Sequence, residues 1–448
     1  MPTTGDQMTT SEITAKASSA AFAEPQRAVT GAWIAAFAAA WLGVWMAQLG
    51  PFQVLLPVQV EEVLPTASEH WTESVMAFGI ISGIAGICAI IAFPVTGALS
   101  DRTTSRLGRR RPWVIGGAVL FAVSLVALSF QTSIVGVGVF WSLVITGFCI
   151  LASALTALIS DQVPVRQRGF VSGWMSAPQA VGIILGVLLV TEVLVVSVLG
   201  PLVTGIFTER FYGYTALAVL LLALQLPILA VAKEIPLEKA HRQRFSFLGM
   251  LRGMWISPRK HPDFAWTLTS RVLVNTGNAL GTGLLLYYLA YGLEIGIDDA
   301  EEALLPLIVV YLIGVVISAL IVGYLSDRLA RRKIFVIWGA LSQAVAAFVL
   351  VFVTSYEATF VAGALLGLGY GAFLAVDQAL ATQVLPDPHD RGKDLGIMNI
   401  AFQVPQALAP LLGALVVVSL EGFRGLFMLA ALAAAIGAAV VGLVRDVK

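Results

Sequence analysis

The chain has 448 residues, of which 58% are hydrophobic and 12% are charged, and its 27 basic and 27 acidic residues give a net charge of zero. Soluble domains carry about 25% charged residues, so this composition excludes an ordinary soluble globular protein. The apolar residues fall in blocks of roughly 20 that are separated by short polar turns, which is typical of membrane-spanning helices. The sequence therefore predicts an all-α polytopic membrane protein.

Twelve apolar blocks can be placed in chain order. They lie at about 31–56, 74–99, 113–130, 134–159, 170–197, 212–232, 264–292, 303–325, 334–353, 358–382, 395–419 and 424–444. Residues 1–29 are polar and rich in Ser, Thr and Ala, and we expect a disordered cytoplasmic tail there. The longest polar segment, residues 233–262, is predicted to be a cytoplasmic central loop. It separates an N-terminal half, residues 30–232, from a C-terminal half, residues 263–448.

The distribution of Lys and Arg predicts the orientation of these helices. With the first turn outside, 24 of the 27 basic residues fall on the cytoplasmic side, and only Arg210 and Arg424 face outwards while Arg271 lies within the seventh helix. The outer turns collect acids instead, namely Glu61, Glu62, Glu69, Glu294, Asp298, Asp299, Glu301 and Glu302. Cytoplasmic loops of membrane proteins carry the excess of basic residues. We therefore expect a multi-pass protein of the plasma (inner) membrane with both termini in the cytoplasm.

Two repeated motifs indicate an internal duplication. The turn after the second helix reads GALSDRTTSRLGRRRP (Gly97–Pro112), and the turn after the eighth helix reads GYLSDRLARRK (Gly323–Lys333). The two Asp residues, Asp101 and Asp327, are 226 positions apart, close to half of the 448 residues. RGFVSGWM after the fourth helix and RGKDLGIM after the tenth helix form a second pair at a similar offset. Both halves keep six helices, so the sequence predicts two parallel six-helix pseudo-repeats.

The first basic turn is expected to hold an ion cluster. Asp101 follows a helix C-terminus, where the helix dipole disfavours an anion, so it needs cationic neighbours, and Arg109 to Arg111 can return to supply them. The alternative is that the arginines only set topology and bind anionic lipid. Asp161, at the end of the fourth helix, is expected to pair with Arg166 and Arg168.

These motifs resemble the major facilitator superfamily over essentially all of the chain after about residue 30. The resemblance implies the major facilitator fold, transport by alternating access, and a cytoplasmic gate that closes one half against the other. The implied gate residues are Gly97, Asp101, Arg102, Arg109, Arg110, Asp327 and Arg328. The long form SDRTTSRLGRRRP is similar to the sucrose–proton symporters and the glycoside–pentoside–hexuronide–cation symporters, which implies a sugar or glycoside as the substrate.

Two ionisable residues lie inside predicted helices. Arg271 is roughly 12 Å and Asp377 roughly 8 Å from the cytoplasmic edge, at 1.5 Å per residue. A charge at membrane depth is usually paired or functional, so we expect the two side chains to form a pair. A carboxylate beside an arginine can take up and release a proton, which predicts an ion-coupling role. The alternative is a static structural ion pair.

Polar and aromatic side chains along several helices predict a substrate site. The candidates are Trp41, Trp45, Gln48, Gln53, Gln179, Asn275, Asn278 and Gln403. Aromatic rings with amides suit a neutral, hydroxyl-rich ligand. The alternative is that such residues hold helices together, as small polar residues do in any helical bundle. Two sets of glycines spaced every four residues are expected to allow close helix packing, namely Gly79 and Gly83, and Gly363, Gly367 and Gly371.

No enzyme activity is predicted. The sequence has no phosphate-binding Gly-rich loop, its four His residues form no metal-spaced cluster, and no nucleophile–base pair is visible. We predict a secondary transporter without cofactor or metal, most simply a proton-coupled symporter of a sugar or glycoside. The predicted partners are a small solute, a proton or sodium ion, and membrane lipid, with no nucleic acid. A proton-antiport exporter of drugs or metabolites is the alternative within the fold, and a non-transporting receptor is the alternative outside it.

Overall fold

The structure is a computed structural model that describes residues 25–64, 70–190, 209–234, 236–237, 257–329, 331–383 and 391–444. Every regular element within these ranges is helical. Most of the predicted tail and most of the predicted central loop lie outside the described residues, so both remain predictions.

The described residues form twelve long helical segments. The first six are α1 (Gly31–Val63), α2 (Trp71–Ser100), α3 (Arg111–Ser129), α4 (Ile134–Gln162), α5 (Val165–Val190) and α6 (Glu209–Val231). The second six are α7 (Pro262–Gly283, continued by Leu285–Tyr287 and Tyr288–Gly292), α8 (Ile297–Leu329), α9 (Arg332–Phe352), α10 (Tyr356–Gln383), α11 (Arg391–Ser419) and α12 (Arg424–Val441). Each predicted apolar block overlaps one of them, and the end of block five, residues 191–197, lies outside the described residues.

Length and composition support membrane crossing. Within the described residues, nine helices are long and apolar enough to span a membrane, and α5 and α11 contribute the shorter apolar stretches Pro178–Val190 and Val404–Ser419. Large apolar side chains also point away from the protein, among them Val135, Leu320, Trp338 and Phe352. Such a surface suits contact with lipid rather than with water. The all-α membrane fold is therefore confirmed, and the helix order is consistent with twelve spans.

Local sequence signals explain where several helices begin. The Thr30 hydroxyl accepts a hydrogen bond from the Trp33 backbone N–H (3.3 Å), and the Ser133 hydroxyl accepts one from Gly136 N–H (3.2 Å). These side chains satisfy donors at the starts of α1 and α4 that have no partner within the helix. Pro112 lies in the first turn of α3, where the missing N–H costs nothing.

Two helices differ from the prediction because their regular geometry is interrupted. Block one was expected to end at residue 56, but α1 continues to Val63 through a π-helical turn, Pro51–Leu55. Proline lacks the N–H that an α-helical bond requires at this point, which favours such a local change. Block seven was expected to be continuous, but α7 breaks at Leu284, directly after Gly283, resumes at Leu285 and ends in a π-helical turn at Tyr288–Gly292. Glycine weakens a helix because it has the greatest conformational freedom to lose.

The packing of the second half repeats that of the first. In the N-terminal half, α1 packs against α5 and α6, α4 packs against α2 and α3, and α3 packs against α6. In the C-terminal half, the corresponding pairs are α7 with α11 and α12, α10 with α8 and α9, and α9 with α12. This agreement in five helix pairs matches the duplication inferred from the repeated motifs.

The two halves meet through α2 with α11 and through α5 with α8, which are equivalent pairs in the duplication. Glycine allows the close approach of α2 to α11. A Cβ atom on Gly86 would lie 2.9 Å from the Cβ of Ala407, and one on Gly83 would lie 2.6 Å from Leu411 Cδ2. The close packing predicted for Gly79 and Gly83 is thus present, and these glycines face the other half.

Candidate functional site

The bundle has two chemically different ends. We call the end that carries the turn Ser100–Arg111 the basic end, and the end that carries Glu61, Glu62, Asp298 and Asp299 the acidic end. Candidate functional residues lie at the basic end, in the middle of the C-terminal half, and at the acidic end.

At the basic end, Arg110 is the centre of an ion cluster within the N-terminal half. Its guanidinium donates to Asp161 Oδ2 (2.8 Å) and to the Ser100 hydroxyl (2.5 Å), and it forms an ion pair with Asp101. Arg109 lies 3.1 Å from the same oxygen of Asp161. The contact expected between Asp101 and the returning arginines is therefore present at Arg110.

The cluster keeps Arg110 charged although it is almost fully buried. Burial alone would lower the pKa of this guanidinium, but Asp161 and then Asp101 raise it, so its pKa lies above the usual value. The Asp161 carboxylate binds Arg109 and Arg110, and the side chain of Arg166, one of its two expected partners, lies outside the described residues. Arg168 donates to the backbone carbonyls of Val163 (3.0 Å) and Ser160 (3.2 Å). Sequence reasoning did not pair Asp161 with Arg109 and Arg110 because it preferred arginines close in sequence over those at the start of a packed neighbouring helix.

Glu234, just after α6, is a residue of this cluster that sequence reasoning missed. Its carboxylate accepts hydrogen bonds from the backbone N–H groups of Arg110 (2.7 Å) and Arg111 (3.0 Å), at the start of α3. An acid at a helix N-terminus is favoured by the helix dipole. Gly108 has φ +102°, and a Cβ atom there would lie 2.6 Å from Glu234 Oε2. Only glycine therefore fits at this position of the motif.

The remaining predicted gate residues are Gly97, Arg102, Asp327 and Arg328. Arg102 donates to the backbone carbonyl of Ala98, and a Cβ atom on Gly97 would lie 3.6 Å from the Ser153 hydroxyl. In the second copy of the motif, Arg328 is exposed, and the side chain of Asp327 lies outside the described residues. The gate role of all seven residues stays a prediction.

A basic residue near the end of each motif binds the C-terminal end of a neighbouring helix. Arg111 donates to the Leu229 carbonyl near the end of α6, and Lys333 donates to the carbonyls of Gly442 (2.5 Å) and Val444 (2.7 Å) just after α12. Cations are favoured at helix C-termini by the dipole and by the carbonyls without a helical partner. The two halves therefore use equivalent contacts at the basic end.

In the C-terminal half, Arg271 of α7 and Asp377 of α10 form the expected ion pair. Arg271 Nη2 lies 3.2 Å from Asp377 Oδ2, and each side chain is only 4% exposed. An ion pair buried to this degree needs both partners, since removing one leaves an uncompensated charge. Its coupling role stays a prediction.

The two predicted amides of α7 are bound by tyrosines of the same half. Asn275 Nδ2 donates to the Arg271 carbonyl (2.7 Å), and its Oδ1 accepts from the Tyr370 hydroxyl (3.2 Å). Asn278 Nδ2 donates to the Tyr311 hydroxyl (3.2 Å). Both amides are buried, and together with the ion pair they form a polar ladder between α7, α8 and α10. Their contact with a substrate remains untested.

The predicted aromatic and amide residues of α1 lie on its buried side. Trp41 and Trp45 stack with ring centroids 5.6 Å apart, and Trp45 is 6.0 Å from Phe148 of α4. Within the described part of the chain, Trp41 Nε1 and Gln48 Oε1 have no hydrogen-bond partner. Gln53 lies half-buried in the π-helical turn of α1, Gln179 lies half-buried after Pro178 of α5, and the Gln403 side chain lies outside the described residues.

At the acidic end the two halves are closed against each other, a feature that sequence reasoning missed. The Tyr291 hydroxyl donates to Glu61, and the Tyr287 hydroxyl donates to the Pro57 carbonyl (3.2 Å). Trp71 of α2 stacks against Tyr291 (5.3 Å) and Phe423 (5.6 Å) of the C-terminal half. The aromatic run LLLYYLAYG in α7 was the available signal, but the sequence did not show that its partners lie on α1 and α2.

Comparison with known proteins identifies the family. A sequence profile of the Major Facilitator Superfamily matches residues 33–310 and 272–448. A probable 4-methylmuconolactone transporter of Cupriavidus pinatubonensis is 36% identical over 117 residues, which cover 25% of this chain and 26% of that relative. The fujikurins efflux protein of Gibberella fujikuroi is 22% identical over 92% of this chain and 80% of its own. The sucrose transport protein SUT3 of Oryza sativa is 38% identical over 48 residues, covering 11% of this chain and 10% of that relative.

The fold is similar to solved structures of transporters. A bacterial homologue of the human lysosomal transporter Spinster, in an inward-facing and occupied conformation, superposes with a TM-score of 0.67 at 14% identity. The alignment covers 93% of this chain and 96% of that one. Since the profile match extends over both halves, the chain belongs to the Major Facilitator Superfamily, and its helices make it a multi-pass membrane protein.

Proposed function

We propose that this transporter is a proton-coupled symporter of a small neutral solute, with a sugar or glycoside as the first class to test. The observation that carries the coupling proposal is the buried pair of Arg271 and Asp377. A carboxylate held beside an arginine can exchange a proton when the distance or hydration of the pair changes. Alternation between two arrangements of the halves would change the distance or hydration of the pair. Sodium is the other coupling ion to be tested.

We further propose that the basic end is cytoplasmic, that the protein resides in the plasma (inner) membrane, and that the structure is an inward-facing state. The distribution of basic residues supports the orientation. The hydrogen bonds and aromatic contacts between the halves at the acidic end support closure on that side. In this proposal the Arg110 cluster with Asp101, Asp161 and Glu234 prepares the N-terminal half for closure at the basic end.

Three observations support a neutral, hydroxyl-rich solute. Trp41 Nε1 and Gln48 Oε1 offer one donor and one acceptor on buried turns of α1. The stacked rings of Trp41 and Trp45 provide an apolar face of the kind that sugar rings can use. Short similarity to a sucrose transport protein adds support at the level of the motif.

The test is external pH in a weakly buffered, de-energised suspension of cells that express the protein. Disaccharides, glycosides and pentoses are added one at a time, with cells expressing Asp377→Asn as the control. Alkalinisation by one class in cells with the wild-type protein alone is expected. Silence across the panel, repeated with a sodium gradient, would contradict sugar symport.

A proton-antiport exporter is the second candidate, favoured by the similarity to a fujikurins efflux protein over 92% of this chain. A symporter and an exporter differ in the direction in which the solute crosses the membrane. In everted vesicles with an imposed acidic interior, an exporter would release protons when its substrate is added, so the interior would become less acidic. In cells, an exporter would confer resistance to toxic substrates. A symporter would confer sensitivity to toxic analogues of its sugar.

A further inference from the structure

The coupling pair lies wholly within the C-terminal half, so a change in its charge needs a route to the other half. Arg271 belongs to α7 and Asp377 to α10, whereas the helix of this half that packs against both α7 and α2 is α11. A residue of α11 in contact with the pair would therefore link the pair to the surface where the two halves meet.

Phe402 of α11 makes this contact. The centroid of its ring lies 5.9 Å from the guanidinium carbon of Arg271, within the range of a cation–π interaction. One turn further along α11, the Gln406 side chain reaches the hydroxyl of Tyr370, which also binds Asn275. Two successive turns of α11 thus contact the polar ladder.

The opposite side of the same turns contacts α2. Ala407 follows Gln406 directly and packs so closely against Gly86 that there is no room for a Cβ atom on the glycine. Pro405 and Pro410 lie inside α11 and remove backbone donors on either side of this contact, which permits a local bend. Phe402 and Gln406 therefore lie on the same two turns of α11 that pack against α2 at the interface between the halves.

We propose that Phe402 is a positioning residue that holds the Arg271 cation when Asp377 takes up a proton, an inference that rests on the proposed coupling role of Asp377. The proton adds to a carboxylate oxygen of Asp377 and forms an O–H bond. The pair then changes from zero net charge to the single positive charge of Arg271, and release of the proton reverses the step. The negative face of the Phe402 ring stabilises that positive charge while the Asp377 carboxyl is neutral.

Several other groups face the pair from the helices packed around it. In the described part of the chain, Tyr370 of α10 is a titratable side chain next to the pair, Tyr311 of α8 lies next to Tyr370, and Asn275 lies on α7 itself. From α12, Gly437 accepts a hydrogen bond from Ser270 (2.8 Å), and the sequence of α12 after Arg424 has no titratable residue. In the described part of the chain, Phe402 therefore acts on the charge of Arg271 and, through it, on the protonation of the Asp377 carboxyl.

The test is an infrared titration of purified, membrane-reconstituted protein, with the proton itself as the probe. The protonated carboxyl band of Asp377 is obtained by subtracting the spectrum of Asp377→Asn at each pH. Phe402→Leu removes the ring but keeps an apolar side chain, and it is expected to lower the midpoint of this band by roughly one pH unit. Phe402→Tyr keeps the ring and is expected to retain the wild-type midpoint.

Phe121→Leu, which removes a buried ring from the N-terminal half, is the packing control and should leave the midpoint unchanged. Phe402→Met replaces the leucine variant if that protein does not fold. An unchanged midpoint in a folded Phe402 variant without a ring would overturn the role of Phe402 and leave Asp377 coupling intact. The absence of any titrating band in the wild-type minus Asp377→Asn spectrum would overturn the coupling role and the inference together.

Discussion

The hydroxyl of Tyr291 donates a hydrogen bond to the carboxylate of Glu61, although the two residues are 230 positions apart and belong to opposite halves. Trp71 of the N-terminal half stacks on the ring of the same tyrosine with an interplanar angle of 17°. One side chain of α7 thus contributes both a polar and an aromatic contact to the closed acidic end. Opening of that end must break both contacts.

Tyr291→Phe should make the acidic end open more often. It removes the hydroxyl but keeps the stacked ring, and loss of a hydrogen bond of this kind costs about 1–2 kcal/mol, roughly a 5- to 30-fold change in an equilibrium. The measurement is the rate at which a maleimide labels Val54→Cys, in detergent, in a background without Cys88 and Cys149. Val54 is buried in an apolar cluster that α1 shares with α7 and α8.

Tyr356→Phe is the matched control for this change. Its hydroxyl donates to the Ala303 carbonyl (2.9 Å) within the C-terminal half, so its loss should not change the labelling rate of Val54→Cys. Equal labelling rates in the Tyr291 and Tyr356 variants would show that the Tyr291 hydroxyl does not hold the halves together.

Asp377→Asn should abolish accumulation of the solute against its gradient but preserve counterflow exchange. The amide keeps the size of the side chain but can neither ionise nor release a proton. Both rates are measured in proteoliposomes with the solute found by the alkalinisation test. Asp298→Asn, an exposed acid at the start of α8, is the control, and accumulation that persists in Asp377→Asn would make the pair purely structural.

Gly108→Ala should lower the apparent melting temperature by a few degrees. The residue has φ +102°, where a Cβ atom is strained by roughly 1–2 kcal/mol, and that atom would also collide with Glu234. Gly116→Ala provides the contrast, because nothing lies within 4 Å of a Cβ atom at that helical position. Thermal unfolding of both variants in the same detergent checks the difference, and equal melting temperatures would contradict the strain argument.

Asp161→Asn should destabilise the protein more than Asp101→Asn. The Asp161 side chain is 17% exposed and faces two guanidinium groups, whereas Asp101 is 54% exposed and pairs with one. Removing the first should cost about 2 kcal/mol or more, and removing the second at most about 1 kcal/mol. Melting temperatures of the two variants decide the order, and the reverse order would mean that Asp101 is the main partner of Arg110.

Hydrophobic pattern and repeated motifs were sufficient to predict most of the architecture. The blocks predicted twelve helices, and the motif offset predicted two similar halves, because both depend on local composition. The pair of Arg271 and Asp377 was also predictable, since two charges at similar depth in a membrane must find each other. The interruptions of α1 and α7 were missed because a period of 3.6 residues tolerates one extra residue in a single turn.

The partners of individual side chains were harder to predict. Asn278 has the composition expected of a ligand site, yet Tyr311 of α8 binds it, because polarity shows which side avoids lipid but not which neighbour lies there. Glu61 belonged to an acidic turn by sequence and lies at the junction of the halves in the structure. Asp161 and Glu234 bind the Arg110 cluster from α4 and from the residues after α6, through contacts set by tertiary packing alone.

Because Arg109 and Arg110 become buried, the basic turn has one role during membrane insertion and another after folding. While the chain is being inserted, each arginine counts simply as a positive charge that favours the cytoplasmic side. After folding, these two side chains are covered by protein and unavailable to lipid headgroups, so any lasting hold on anionic lipid falls to exposed neighbours such as Arg106. Arg110→Lys would therefore keep the positive charge that favours the cytoplasmic side during insertion but lose the guanidinium contacts of the folded cluster.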